Sequence, residues 1–412
     1  MMTRRSALLA ASGLALLAAS GAGPARAAEQ VVKIGIDASL TGGDAQSALL
    51  VKNGALLAID EANAKHTVPG VKFEALVLDD GTATAGQYDP AQGATNARKM
   101  VSDHTVVAAV GPQMSGVGKA MAPILSWGDL ATITPSSTNP DLTDPKFAQQ
   151  YRPAGKPIYF RTVATDAYQG PNMANYFADT LKVKSVYILD DTGAYGEGLA
   201  NAFQAQAEKK GIKVLGHDKL DPKAADYSAV LTKIKQLNPD SLYYGGVLQA
   251  GVKLAKQSYD ILPHDMPKAG GDGLSGPEML TAVGYPANEG WYTTNASPHV
   301  TEDPAAQDWV NRYKAKFNVL PDDYAITAYD ATEVIIDAVK RVAATGKPVT
   351  RSAVRDAIQT GKVKTLQGVV SFDENGDIED RVISIFQIHH DAAYPADDMI
   401  HQFKYIGVAP QS

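Results

Sequence analysis

The chain has 412 residues, with 38 Lys and Arg against 45 Asp and Glu, a formal charge of −7 and no cysteine. The acidic balance argues against nucleic acid or an anionic membrane surface as partner. The missing cysteines exclude disulfides, thiolate metal sites, a Cys nucleophile and a lipid on an N-terminal Cys.

The chain starts with Arg4-Arg5, an Ala/Leu-rich run from Ala7 to Ala22, and Ala25-Arg26-Ala27 before Ala28. These are the basic start, apolar centre and small-x-small cleavage site of an export signal. The run is diluted by Ser12, Gly13, Ser20 and Gly21 and falls short of the ~20 strongly apolar residues of a membrane span. Cleavage is expected after Ala27, which removes Arg4, Arg5 and Arg26 and takes the charge from −7 to −10. Thr3-Arg4-Arg5-Ser6 also admits a twin-arginine signal, so the export route stays open. No later run is long and apolar enough to span a bilayer. An exported chain without a lipid anchor implies the periplasm. Cores stop growing at about 250–300 residues, so the remainder is expected to form two lobes.

Strand-like runs at 31–38, 71–78, 106–110 and 131–134 alternate with helical patterns at 48–64, 90–102 and 115–126. After Pro157 the alternation restarts: strands at 158–163, 185–189, 212–216 and 241–245, helices at 171–181, 195–210, 227–237 and 250–259, then a run into Gly270-Gly271. Short β-branched runs alternating with helices indicate βαβ units around parallel sheets. Residues 303–344 read as mainly helical; Ala328, Ala331, Ile335, Ala338 and Val342 recur every three or four residues as one core-facing stripe. The end turns strand-rich, with 369–372 and 382–388 flanking Asn375-Gly376, a hairpin signal because both positions accept positive φ.

In open α/β sheets ligands sit beyond the carboxyl ends of the strands, where helix N-termini offer free N–H groups. The loops 111–116, 134–140, 190–196 and 270–273 are rich in Ser, Thr, Gly or Tyr. Ser115 at a helix start is either an N-cap or, with the helix amides and the Thr138 hydroxyl, a donor to a ligand carboxylate. Asp272, between glycines at a strand end, is either a solvated turn residue or the partner of a ligand ammonium. Tyr195 at a helix mouth is either a packing residue or a flat face with a hydroxyl for a ligand. Gly271-x-Gly273-x-x-Gly276 matches a dinucleotide fingerprint, but Pro277 follows at once and no acid closes the unit. There is no Gly-x-Ser-x-Gly, His-Glu-x-x-His or Walker loop. His389-His390 sit side by side on an expected strand and face opposite sides. No catalytic set, metal site or cofactor is expected.

The ordered motifs resemble those of the leucine/isoleucine/valine-binding proteins, type I receptors of branched-chain amino acid ABC importers, over nearly all the mature chain. They are Val31-Val32-Lys33-Ile34-Gly35 with Leu40-Thr41-Gly42, Thr134-Pro135-Ser136-Ser137-Thr138-Asn139-Pro140-Asp141-Leu142-Thr143, and Phe160-Arg161-Thr162-Val163-Ala164-Thr165-Asp166 with Gln169-Gly170-Pro171. Tyr195-Gly196-Glu197-Gly198-Leu199, Tyr243-Tyr244-Gly245-Gly246 and Phe372-Asp373-Glu374-Asn375-Gly376-Asp377 follow in order. The resemblance implies two doubly wound parallel-sheet lobes joined by three crossovers. Residues 28–163 and 297–380 would form lobe 1, and 164–296 with 381–412 lobe 2. It implies that Ser115 and Thr138 hold an α-carboxylate, that the Ser136 carbonyl and Asp272 meet the ammonium, and that Tyr195 closes from the second lobe. Two family tyrosines are Ser47 and Val247 here, and Met114 stands at one position of a disulfide found in some members.

The expected function is therefore a monomeric periplasmic receptor, not an enzyme. It captures a small amino acid, branched-chain or aliphatic, and delivers it to an inner-membrane ABC permease. The same fold could serve an amide, urea or aromatic acid, or act as a sensor module. An exported α/β hydrolase using Asp272 with Tyr195 is the rival of another class.

Overall fold

A computed structural model describes residues 29–411; the expected export signal, with its cleavage site at Ala27, lies outside them. The first half runs β1 (Gln30–Ala38), α1 (Ala45–Ala64), β2 (Val71–Asp79), the small hairpin β3 (Gly81–Thr82) and β4 (Gln87–Tyr88), and α2 (Pro90–Ser102). It continues through β5 (Val106–Val110), α3 (Ser115–Trp127), β6 (Ala131–Thr134), α4 (Ala148–Tyr151) and β7 (Tyr159–Arg161). A second series follows: α5 (Asp166–Asp179), β8 (Ser185–Asp190), α6 (Ala194–Lys209), β9 (Lys213–Lys219), α7 (Ser228–Leu237), β10 (Ser241–Gly245), α8 (Leu248–Ile261), β11 (Lys268–Gly270) and β12 (Trp291–Asn295). The chain ends with α9 (Gln307–Phe317), α10 (Asp323–Ala344), α11 (Arg351–Gln359), β13 (Val363–Thr365), β14 (Gly368–Val370), β15 (Ser384–Ile388), α12 (Met399–Gln402) and β16 (Phe403–Val408).

Two sheets organise two lobes. One has the order β2-β1-β5-β6-β7 and is wholly parallel. The other has the order β16-β15-β12-β11-β10-β8-β9, parallel except for β15 and β16. Every residue of β5 and β10 is buried, as expected of central strands covered by helices on both faces. Helix α10 packs along α1 and against the first sheet. At Gly54 a Cβ would stand 2.0 Å from the Ala325 carbonyl, so only glycine lets the two helices approach this closely. The Ala328, Ala331, Ile335, Ala338 and Val342 stripe is buried as its spacing implies.

Three expectations need correction. Asn375-Gly376 does turn the chain, but it closes only an isolated bridge between Phe372 and Ile378. The flanking runs join different sheets, β14 to β13 and β15 to β12 and β16, because a turn signal fixes the local reversal and not the partner. Helix α5 starts at Asp166, five residues before the expected start at 171, and carries Pro171 inside it. His389 and His390 lie just past β15, His389 beside Glu289 and His390 stacked on Tyr285.

Candidate functional site

The carboxyl ends of β5 and β6 carry two loops that are stitched together by their own hydroxyls. Thr134 Oγ1 and Ser137 Oγ donate to the Pro112 carbonyl at 2.7 and 2.9 Å, and Ser136 Oγ donates to the Gln113 carbonyl at 3.0 Å. Much of the Thr134–Thr138 motif is thus structural. Ser115 is the first residue of α3 and does not cap it; the N-cap is Met114, without a side-chain bond. Its hydroxyl oxygen accepts the Asn139 N–H at 3.2 Å, which leaves its proton free to donate elsewhere.

The opposite wall comes from the ends of β8, β10 and β11. Tyr195, in the first turn of α6, donates its phenol to Asp272 Oδ1 at 2.6 Å and accepts the Gly273 N–H at 3.0 Å. Tyr324, in the first turn of α10, donates to Asp272 Oδ2 at 2.5 Å and accepts the Ala296 N–H at 3.2 Å. Each carboxylate oxygen therefore holds one phenol, one from each lobe. Gln169 fixes the loop: its Oε1 accepts from the Asp272 N–H at 2.8 Å and from Thr294 Oγ1 at 2.6 Å. The glycines of the Gly271-x-Gly273 pattern exist for this ring. A Cβ would stand 2.3 Å from the Tyr195 hydroxyl at Gly271 and 2.4 Å from the Gly246 carbonyl at Gly273. A helical turn of only three residues follows, Asp272–Leu274, so no dinucleotide cradle forms.

These residues meet at a small cavity lined by Asp44, Ser47, Gln113, Met114, Ser115, Ser136, Tyr195, Val247, Leu248, Asp272, Gly273, Ser275 and Tyr324. Among the described residues no basic side chain lines it. The lobes are shut over it: Leu248 N–H donates to Asp44 Oδ1 at 3.2 Å, Gln46 N–H to Glu278 Oε1 at 2.9 Å, and Asn139 Nδ2 to the Ala194 carbonyl at 2.7 Å.

Burial raises the Asp272 carboxyl while the Tyr195 and Tyr324 phenols hold it down. Burial and the neighbouring Asp272 push Asp166 well up, as expected of two like charges in one dry site, only one of which readily ionises. Burial, aided by the negative charge of Asp272, keeps both phenols protonated. Asp44 is pushed up to about 8, by burial first and by the charge of Glu278 second.

Of the residues singled out in the sequence, Ser115, Ser136, Tyr195 and Asp272 line the cavity. Thr138 does not; it is fully buried in the adjoining loop, and its Oγ1 meets no partner at hydrogen-bonding geometry. The Asp166 carboxyl nevertheless lies near enough for that hydroxyl to offset part of the rise in its pKa that burial and Asp272 cause. Tyr324, Asp44, Gln113 and Gln169 were missed. Tyr324 carries the same signal as Tyr195, an aromatic at a helix mouth, here just after the capping Asp322.

Residues 31–393 match the family model described as periplasmic binding protein. The Leu/Ile/Val-binding protein homolog 3 of Brucella melitensis is 34% identical over 366 residues, 89% of this chain and 93% of its own. The Leu/Ile/Val-binding protein BraC3 of Rhizobium johnstonii is 35% identical over 357 residues, 86% and 91% of the two chains. A leucine binding protein of Thermotoga maritima superposes with a TM-score of 0.77 at 25% identity, covering 92% of this chain and 98% of that one.

Proposed function

The chain belongs to the periplasmic binding protein family, and we propose that it captures a small α-amino acid between its lobes and delivers it to an inner-membrane ABC permease. The names of its relatives, Leu/Ile/Val-binding proteins, point to a branched-chain or aliphatic side chain, for which Met114, Val247 and Leu248 offer apolar wall. The observation that carries the reading is the Asp272 carboxylate held between two phenols across a cavity from the free proton of Ser115. An ammonium suits the first and a carboxylate the second. Ser136 contributes its carbonyl to the ammonium, and Thr138 positions the carboxylate loop and supports the ligand's carboxylate through it.

As a member of a family of binding proteins the chain acts by capture and not by catalysis, with the Asp272 carboxylate engaged by two phenols. It is exported with cleavage after Ala27 and works as a monomer, its lobes dividing at 163, 296 and 380. No helix among the described residues is long and apolar enough to cross a membrane.

The test is calorimetry of the mature chain against a panel of amino acids, amides and aromatic acids, with melting curves beside it. A ligand that binds only the folded form adds about 2.7 kcal/mol at a hundred times its Kd, so melting temperature rises with the true ligand and no product accumulates. Binding confined to compounds without an amino group would remove the role given to Asp272. Chemical consumption of the ligand would overturn the receptor reading.

A further inference from the structure

The cavity holds a second polar group that main-chain recognition leaves unused. Asp44 is 1% exposed; its Oδ1 accepts the Leu248 N–H, while its Oδ2 has no partner. Beside it, Ser47 Oγ donates to the Asp44 carbonyl at 2.9 Å, so toward Gln113 it can only accept. That fixes the amide: Gln113 Nε2 faces Ser47 at 3.4 Å and Oε1 is left buried without a partner. Both side chains line the cavity. Gln113 Oε1 is an acceptor, and Asp44 Oδ2 becomes one when the carboxyl gives up its proton to face a cation; among the described residues no Lys, Arg or His joins this wall, and the Glu278 carboxylate lies close enough to act on Asp44.

A hydrocarbon side chain placed here leaves the Gln113 oxygen desolvated and unpaired and holds Asp44 in its neutral form with one oxygen unpartnered, which is costly for buried polar groups. A side chain ending in N–H groups satisfies them. We infer that Asp44 and Gln113 form a side-chain subsite that favours small amino acids with a terminal nitrogen donor, ammonium above amide, over aliphatic ones of the same shape. The inference rests on the amino-acid reading above and ranks ligands within it: leucine still binds through its main-chain groups and through Val247 and Leu248, but not best. Ser47 and Val247 line the same cavity as Asp44.

Shape-matched pairs test this: norvaline against 2,4-diaminobutyrate, and leucine against asparagine, by calorimetry on the mature chain and on Asp44→Asn and Gln113→Leu. The donor-bearing member of each pair should bind about tenfold tighter or better, the worth of one hydrogen bond to a charged group. Asp44→Asn should erase most of the diaminobutyrate advantage while leaving norvaline nearly unchanged. Equal or tighter binding of leucine and norvaline to the wild-type chain overturns the subsite and leaves the amino-acid reading standing, whether or not either variant folds. Equal weakening of all four ligands by Asp44→Asn also overturns it, reducing Asp44 to a cleft-closing contact with Leu248. If none of the four binds or shifts the melting temperature, the amino-acid reading falls and the subsite with it.

Discussion

Asp272→Asn changes one charge and almost no volume, which makes it the sharpest probe of the amino-acid reading. In the native protein each carboxylate oxygen accepts one phenol, Tyr195 at 2.6 Å and Tyr324 at 2.5 Å. Asparagine keeps one acceptor; its amide nitrogen must face the other phenol, whose proton then loses its partner. The fold pays for that with one buried hydrogen bond, about 1–3 kcal/mol. The ligand loses something different. A hydrogen bond to a charged group contributes about 1.5–3 kcal/mol, which at about 1.4 kcal/mol per decade is roughly a 10-fold to 150-fold loss in affinity. Calorimetry with leucine and with 4-methylpentanoate, the same molecule without its amino group, separates the two effects. Leucine should weaken by that factor and 4-methylpentanoate should barely change. Equal weakening of both would show that the carboxylate only anchors the phenols, and the assignment of the ammonium to Asp272 would be refuted.

Ser115→Ala should cost about tenfold or more in affinity for an amino acid while lowering stability by only about 1 kcal/mol, because the hydroxyl caps no helix and merely receives the Asn139 N–H; unchanged affinity would leave Ser115 a loop fastener. Stability should also fall as pH rises from 5 to 8. Burial lifts Asp44 to about 8, Asp80 and Asp322 to about 7 and Asp191 and Asp330 to about 6. The folded chain therefore holds protons that the unfolded chain releases near pH 4, and that advantage is lost as pH climbs toward the folded values. Melting temperatures measured at pH 5 and 8 check the sign, and a higher value at pH 8 would contradict it.

The sequence disclosed the parts of this site that rest on local chemistry. Strand β5 is an unbroken apolar run and β10 carries Leu242-Tyr243-Tyr244 at its centre, and the loops after β5 and β6 are rich in hydroxyls. Asp272 and Tyr195 stood out because glycines flank one and a helix mouth holds the other. What stayed hidden depends on distant pairing. Tyr324 joins the site from 52 positions along the chain from Asp272, and Asp44 touches Leu248 across 204 positions; no periodicity reports such contacts. The Asn375-Gly376 turn failed for the same reason. Its conformation is local, but β15 finds its neighbours in β12 and β16, and the strand β12 itself, WYTTN, is too polar at its end to stand out as a run.

Closure is where this arrangement becomes a signal. The bonds that cross the cleft, from Leu248 to Asp44, Gln46 to Glu278 and Asn139 to Ala194, each contribute about 0.5–1.5 kcal/mol net, since an open cleft would give the same groups to water. Burying Asp44 and Glu278 without full pairing works against them: both acids have one oxygen unpartnered and both are lifted by desolvation. The shut form thus gains little from its own contacts. A ligand shifts the balance only by the difference in its affinity for the two forms. Tyr324 reaches Asp272 from the helix packed on the first sheet, and Tyr195 from the second. Residues from both lobes therefore converge on Asp272, so a ligand ammonium bound there, as proposed above, would act on the closed form specifically. A permease that recognises the juxtaposed lobes would then read occupancy rather than the mere presence of the protein.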